Sequence, residues 1–319
     1  MLFVEEKEVE SYLDMPKALG IIEEAFKACA HDEIFYVDRI TLPVRGNESS
    51  CIWLPACMKN KPFFGIKYAA SFPSNVAKNI PTVISQISLY SADSGELLGI
   101  VGANYLTSIK TGGAAGVATK VMARQDANKL GVIGTGIQAF TQILAIQEVR
   151  DLQEVYVYDL DEARMHDFIA RLEKAKNRDY KIVAYNDANK LAHDCDILCT
   201  CTPSTKPVFD SSVIRKGTHV NAIGSFTPFM QEIDENMVVM ADKLVTEHVD
   251  EMLKVAGDIL IPLEKGLIDT SKVTGSVGDV LIGKAVGREN DDQITLYESN
   301  GSGVLDIAIA TAVYEHFNQ

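Results

Sequence analysis

The sequence is poor in the features that mark several whole classes of protein. Its 319 residues include six cysteines, Cys29, Cys51, Cys57, Cys195, Cys199 and Cys201, with no C-x-x-C pair among them. The last two sit on an apolar run, so reduced, mostly buried thiols are expected in place of a disulfide framework. The six histidines are scattered without metal-ligand spacing, and no metal site is expected. Positive charge is short as well. With 30 basic against 44 acidic side chains the net charge is −14, which disfavours nucleic acid and anionic membrane as partners. No stretch sustains the roughly eighteen uninterrupted apolar residues of a membrane span. Residues 1–8, Met-Leu-Phe-Val-Glu-Glu-Lys-Glu, lack the basic start and long apolar core of a secretory signal. A cytoplasmic protein is the expectation.

What is present is ordinary in bulk and specific in one place. At 47% apolar and 23% charged residues, the composition is that of a globular protein, and the length suggests about two domains. The specific stretch is 129–159. Lys-Leu-Gly-Val-Ile-Gly-Thr-Gly-Ile-Gln-Ala leads through a helical span to Val-Tyr-Val-Tyr-Asp, the order of a dinucleotide-binding βαβ unit. Gly134 and Gly136 would let the chain turn out of the first strand and let backbone N–H groups of Thr135, Ile137 and Gln138 approach a pyrophosphate. Ala139 takes the third, helix-packing position of the fingerprint. The start of the following helix then faces the phosphates. Asp159 falls where such folds place an acid on the adenosine ribose, and no arginine follows until Arg164. A carboxylate there accepts from a diol and repels a 2′-phosphate, so NAD(H) is preferred over NADP(H).

The chain ahead of this motif must form a separate layer. Residues 5–31 carry helical spacing, with Pro16 opening a second helix after Asp14. From about 37 to 101, short β-rich runs (51–54, 63–69, 83–90 and 97–101) are divided by Gly, Pro, Asn and Asp, which predicts an antiparallel sheet. Thr107 is expected to cap a small-residue helix reaching about Ala123. Beyond the first βαβ unit, a helix near 161–175 and strands near 180–185, 196–202, 219–223 and 243–246 continue the alternation of a parallel, doubly wound sheet. A last apolar helix, Val304 to Tyr314, is expected to return to the first domain. The fold class expected is α/β: a Rossmann-type doubly wound parallel sheet domain over 113–300, plus an α+β substrate and dimerisation domain with a mainly antiparallel sheet over 1–112 and 301–319.

Several short segments together carry a resemblance: Pro55-Ala56, Gly65-Ile66-Lys67, Asn79-Ile80-Pro81-Thr82, Ser94-Gly95-Glu96, Leu106-Thr107 with Lys110-Thr111, Gly134 to Gln138, and Gly283 to Arg288. In order and spacing the chain resembles the ornithine cyclodeaminase/mu-crystallin family over nearly its whole length. That resemblance implies a nicotinamide cofactor, a homodimer formed through the β-rich first domain, and an activity among ornithine cyclodeaminase, alanine dehydrogenase and the reductases of cyclic ketimines. It also implies roles for particular residues. Arg39 would clamp a substrate carboxylate, with Arg45 six residues on as the competing choice. Lys67, closing the run Phe63-Phe64-Gly65-Ile66, would be the active-site lysine, its pKa lowered by partial burial; read without the family it could equally lie on the solvent face of an edge strand. Thr82 would lie near the substrate, or be only a buried strand threonine. Thr111, Thr202, Gly224 and Asn300 would join the cofactor contacts, and Gly301 would approach the substrate.

Three departures matter more than the matches. Where the family has Arg-Thr-Ala-Ala, this chain has Lys110-Thr111-Gly112-Gly113, so the charge survives and the bidentate fork does not. Where the cyclodeaminases and alanine dehydrogenases carry a catalytic aspartate, Phe226 stands, and Asp234, eight residues on, is not expected to replace it. The cyclodeaminase's acid ahead of its Leu-Met-Pro-like segment is replaced by Ile52, before Trp53-Leu54-Pro55. What remains is cations for a carboxylate, a lysine for a proton, and apolar surface from Trp53 and Phe226 for a ring. The leading expectation is an NADH-dependent reductase of a small cyclic imino acid, Δ1-pyrroline-2-carboxylate to L-proline being the first candidate. The alternatives are ornithine cyclodeaminase, an alanine or N-alkyl amino acid dehydrogenase, and a non-catalytic NAD-binding protein of crystallin type.

Overall fold

The computed structural model describes residues 1–44 and 49–319, so Arg45 lies outside the described residues. The chain divides into two compact units, Met1–Lys110 with Ser302–Gln319, and Thr111–Gly301. No helix among the described residues is long and apolar enough to cross a membrane.

The first unit is built on a seven-stranded sheet. Its strands run in the order Leu2–Val4, Leu97–Gly102, Val83–Ser91, Phe63–Ser71, Ser49–Met58 and Ile34–Tyr36, with Ile40–Val44 also paired to Ser49–Met58. All pairs are antiparallel except Leu2–Val4 beside Leu97–Gly102. Side chains alternate between faces. Leu54, Lys67 and Ile87, in register with one another, share one face. Helix Gly303–Phe317 covers that face, apolar almost all round and buried along most of its length. Helix Met15–Ala30 packs on it, started by Asp14, whose carboxylate accepts from the N–H of Lys17, with Pro16 in the first turn. The opposite face carries Phe35, Ile40, Leu42, Trp53 and Phe64, four of them at least a third exposed.

Two expectations are corrected here. The small-residue helix spans Asn104–Met122, so Thr107 lies inside it, its hydroxyl donating back to the carbonyl of Ala103. The cap comes from another element: Glu6 accepts from the N–H groups of Asn104 and Tyr105 at 2.7 and 3.1 Å. A cap supplied from about a hundred residues away leaves no local Ser/Thr signature. Trp53 pairs in register with Tyr68, their rings 5.6 Å apart, one residue out of phase with Leu54 and Lys67. It therefore belongs to the open face and offers no surface beside Lys67.

The second unit is an eight-stranded, wholly parallel sheet. Its order is Lys181–Ala184, Glu154–Tyr158, Lys129–Ile133, Ile197–Thr200, His219–Ala222, Thr295–Glu298, Lys243–Thr246 and Gly275–Ser276. Strands Lys129–Ile133 and Ile197–Thr200 read as near-continuous apolar runs because both faces of the sheet are covered, by separate clusters around Leu198 and Val220 and around Val132 and Val155. Strand order reverses between Lys129–Ile133 and Ile197–Thr200, which is where such sheets open a ligand crevice at the strands' carboxyl ends. The part of Asn104–Met122 in this unit runs close to helix Ile137–Val149. A Cβ on Gly112 would meet the carbonyl oxygen of Thr141 at 2.4 Å, which explains glycine at this position of the Lys110–Gly113 segment. The same helix ends against two arginines: Arg150 donates to the carbonyls of Thr119 and Ala123, and Arg288 to that of Met122.

Candidate functional site

In the first unit, three buried charges meet. Lys67 sits mid-strand in Phe63–Ser71, which is flanked by strands on both sides, so the edge-strand reading of this lysine is excluded. Its Nζ lies 2.9 Å from Oδ1 of Asp306, while Nζ of Lys110 lies 3.6 Å from Oδ2. All three side chains are at most 5% exposed. Burial among other cations pushes the Lys67 ammonium down to about 8; Asp306 opposes that shift, and Lys110 and Arg39 add to it. Arg39, half-buried in the loop between Ile34–Tyr36 and Ile40–Val44, is thus brought electrostatically to the same lysine. Thr82 is half-buried in the bend before strand Val83–Ser91, its carbonyl accepting from Phe72, and is not a strand residue.

Asp306 is the residue that sequence reasoning missed. The available signal was a lone carboxylate inside the apolar run 304–314, since an acid at a fully buried helix position needs a cationic partner. Two lysines against one aspartate leave the cluster with one excess positive charge before Arg39 is counted. A buried charge without a counter-ion is costly, and an incoming carboxylate supplies one.

In the second unit, the glycine turn follows strand Lys129–Ile133 directly. Gly134 has φ +99°, and a Cβ there would meet the carbonyl oxygen of Cys201 at 2.7 Å, so only glycine fits. A Cβ on Gly136 would meet nothing within 4 Å. Gly136 caps helix Ile137–Val149 without a side-chain hydrogen bond, which leaves the first N–H groups, among them those of Ile137 and Gln138, facing open space. The buried Oε1 of Gln138 also accepts no hydrogen bond. Open space and backbone donors at one helix start fit a dinucleotide's phosphates, which are acceptors only. Thr135 turns to the next strand, its N–H and hydroxyl donating to Asp159 at 2.9 and 2.5 Å. Thr111 accepts through its carbonyl from Gln142, also in the fingerprint helix.

Thr202 and Gly224 follow adjacent parallel strands and are joined to one side chain, that of Glu232. Asn300 is buried, its N–H donating to Glu247 at 3.0 Å, and Gly301 follows with φ +79°. Phe226 is 54% exposed in the loop after strand His219–Ala222. Asp234 is occupied elsewhere, accepting from the N–H groups of Met237 and Ser211 at 2.9 Å each, and is no stand-in for a catalytic acid.

Comparison with known proteins gives the family. The sequence profile of the ornithine cyclodeaminase/mu-crystallin family matches residues 1–319. The alanine dehydrogenase of Archaeoglobus fulgidus is 35% identical over 99% of this chain and 94% of its own length. A Δ1-pyrroline-2-carboxylate reductase of Bacillus cereus is 32% identical over 99% of this chain and 96% of its own. Among solved structures, that of the Thermococcus litoralis Δ1-pyrroline-2-carboxylate reductase with NADH and L-proline superposes with a TM-score of 0.93 at 30% identity, covering 99% of this chain and 97% of the other.

Proposed function

The chain belongs to the ornithine cyclodeaminase/mu-crystallin family, and from that premise we propose that it is an NADH-dependent reductase of a small cyclic imino acid, with Δ1-pyrroline-2-carboxylate as substrate and L-proline as product. The observation that carries this is the buried Lys67–Asp306–Lys110 cluster with its excess positive charge. Lys110 and Arg39 hold the substrate carboxylate, the first as a point charge and the second as a planar fork. Lys67, held by Asp306 and titrating near 8, is protonated at neutral pH and donates to the imine nitrogen. The 134–138 turn would hold the nicotinamide cofactor, which would supply the hydride for reduction of the imine. By the family resemblance, Thr82, Gly301 and Phe226, whose ring is half-exposed, are assigned to the substrate as well. A pre-formed imine needs neither water nor ammonia, so a phenyl ring at 226 costs this reaction nothing that a cyclodeaminase would require. The carboxylate of Asp159, with no arginine before Arg164, favours NADH over NADPH.

A second reading, reductive amination by an alanine-type dehydrogenase, is favoured by the 35% identity to the Archaeoglobus fulgidus enzyme. The two separate in one assay. Loss of NADH absorbance with fresh Δ1-pyrroline-2-carboxylate, and none with pyruvate plus ammonia or with NADPH, is the expected result. Turnover only with pyruvate and ammonia, or with ornithine and NAD, would discard the ketimine assignment.

The protein works as a homodimer in the cytoplasm, where its six free cysteines stay reduced. The open apolar sheet face, with Phe35 64% and Ile40 55% exposed, is the surface that a second copy covers. Light scattering on the purified chain tests this, and a monomeric mass would sink it.

A further inference from the structure

Glu232 lies beyond the end of strand His219–Ala222, is fully buried, and has no role in the chemistry above. One carboxylate oxygen accepts from the N–H and from the hydroxyl of Thr202, at 2.5 and 2.6 Å. The other accepts from the N–H of Gly224 at 2.6 Å. Thr202 follows strand Ile197–Thr200 and Gly224 follows strand His219–Ala222, so a single carboxylate ties together the carboxyl-terminal ends of two neighbouring parallel strands.

The clasp is itself held. The N–H groups of Glu232 and Ile233 donate to Oδ1 of Asp258 at 2.8 and 3.1 Å, and the N–H of Asp258 donates to the hydroxyl of Ser225. The N–H of Gln231 reaches the carbonyl of Ser204, and the N–H of Val208 reaches that of Glu232. The two loops approach so closely that a Cβ on Gly224 would meet the carbonyl oxygen of Thr202 at 2.1 Å. Among the described residues no group of three or more His, Cys, Asp or Glu side chains is arranged to hold a metal ion, so these acids do not form a cation site.

Burying a carboxylate is costly, and packing alone would be served as well by an apolar side chain of this size. What a carboxyl group with two oxygens does here, and an apolar side chain cannot, is hold two backbone N–H groups and a hydroxyl in one fixed arrangement. That arrangement stands at the strand ends of the second half of the doubly wound sheet, the half that receives the nicotinamide end of a dinucleotide when the first half takes the adenosine.

We propose that Glu232 is a positioning residue for the cofactor: it fixes the Thr202 and Gly224 loops in the shape that receives the nicotinamide half. This rests on the NADH reading above. Neither oxygen can be given up. In Glu232→Gln the amide NH2 must face an N–H donor on one side or the other, so one loop loses its acceptor and leaves a buried donor unsatisfied.

The test is NADH binding, followed by nicotinamide fluorescence in the absence of substrate, on the parent chain and on E232Q. The expected result is an affinity lower by about tenfold or more in E232Q, together with faster amide hydrogen exchange at Thr202 and Gly224. The alkaline limb of the pH profile set by Lys67 should stay where it is in the parent. A folded E232Q that binds NADH within about twofold of the parent overturns the proposal, even if its thermal midpoint has dropped, because Glu232 would then serve stability alone. Should E232Q fail to fold, Glu232→Asp takes its place. It keeps the charge, is one methylene too short to reach both loops, and is held to the same two outcomes. If the parent itself binds no NADH, the functional reading fails first, which separates that failure from this one.

Discussion

The first unit buries Lys67, Lys110 and Asp306 together, whereas the second buries Glu232, Glu247, Asp258 and Glu298. In the first, lysines outnumber the acid between them, and the imbalance calls for an anion from outside. In the second, Glu232 and Asp258 are held by backbone N–H groups, and Glu247 does likewise with the N–H of Asn300 and the hydroxyl of Ser299. The same costly device therefore answers two needs. An unbalanced cluster of charge is a binding site for a charged ligand. An acid held by backbone donors, as Glu232, Glu247 and one oxygen of Asp258 are, is a fastener for loops, and its partners are already in the chain.

The contrast breaks most visibly at Lys67. Lys67→Met keeps volume and removes both the proton donor and one of the two lysines, and imine reduction should fall roughly a thousandfold, with NADH affinity unchanged by direct titration. Turnover within about tenfold of the parent would mean that the proton comes from elsewhere. Asp306→Asn sharpens the comparison by removing the only anion of the cluster while keeping its shape. Asp306 holds the Lys67 ammonium up against burial, so its loss should move the alkaline limb of kcat/KM, expected near pH 8 in the parent, down by about one pH unit. Because reduction needs the protonated amine, activity is lost as pH rises through that value, and earlier in the variant. An unmoved limb would show that Asp306 does not set the state of Lys67.

Much of this was legible in the sequence where the signal is local. The strand, the glycine turn at 134–136, the helix and the second strand follow from spacing within one βαβ unit, and the structure has these elements as read. Lys67 could be singled out but not buried, because burial depends on the flanking strands Ser49–Met58 and Val83–Ser91 and on a helix from the other end of the chain. Asp306 escaped for the same reason: its partners are 239 and 196 residues away in sequence. Thr107 was misjudged because the true cap is Glu6, and Trp53 because its face is decided by register, which one residue inverts. Long-range pairings that leave no local composition are what a single sequence withholds.

The smallest effect tests the fastening role through stability. Asp258 is pushed up to about 8 by burial first and by the neighbouring Glu232 second, against an ordinary value of 3.8. The folded protein therefore keeps this proton over a range in which the unfolded chain has released it, and the native state binds the extra proton between those two values. Stability from this group is complete below about pH 4 and is lost as pH rises through about 8. Other buried acids here, Glu232 and Glu298, are shifted the same way, so the parent alone does not isolate Asp258. The difference between parent and variant does. Asp258→Asn stays neutral at every pH, with its amide oxygen still able to accept from the N–H groups of Glu232 and Ile233. Thermal midpoints measured from pH 5 to pH 9 should fall less steeply in the variant than in the parent, and the two curves should diverge most on the alkaline side. Parallel curves would mean that Asp258 carries no proton in the folded state, and that its carboxylate is held ionised by the two backbone donors, as a fastener with no cost from its burial.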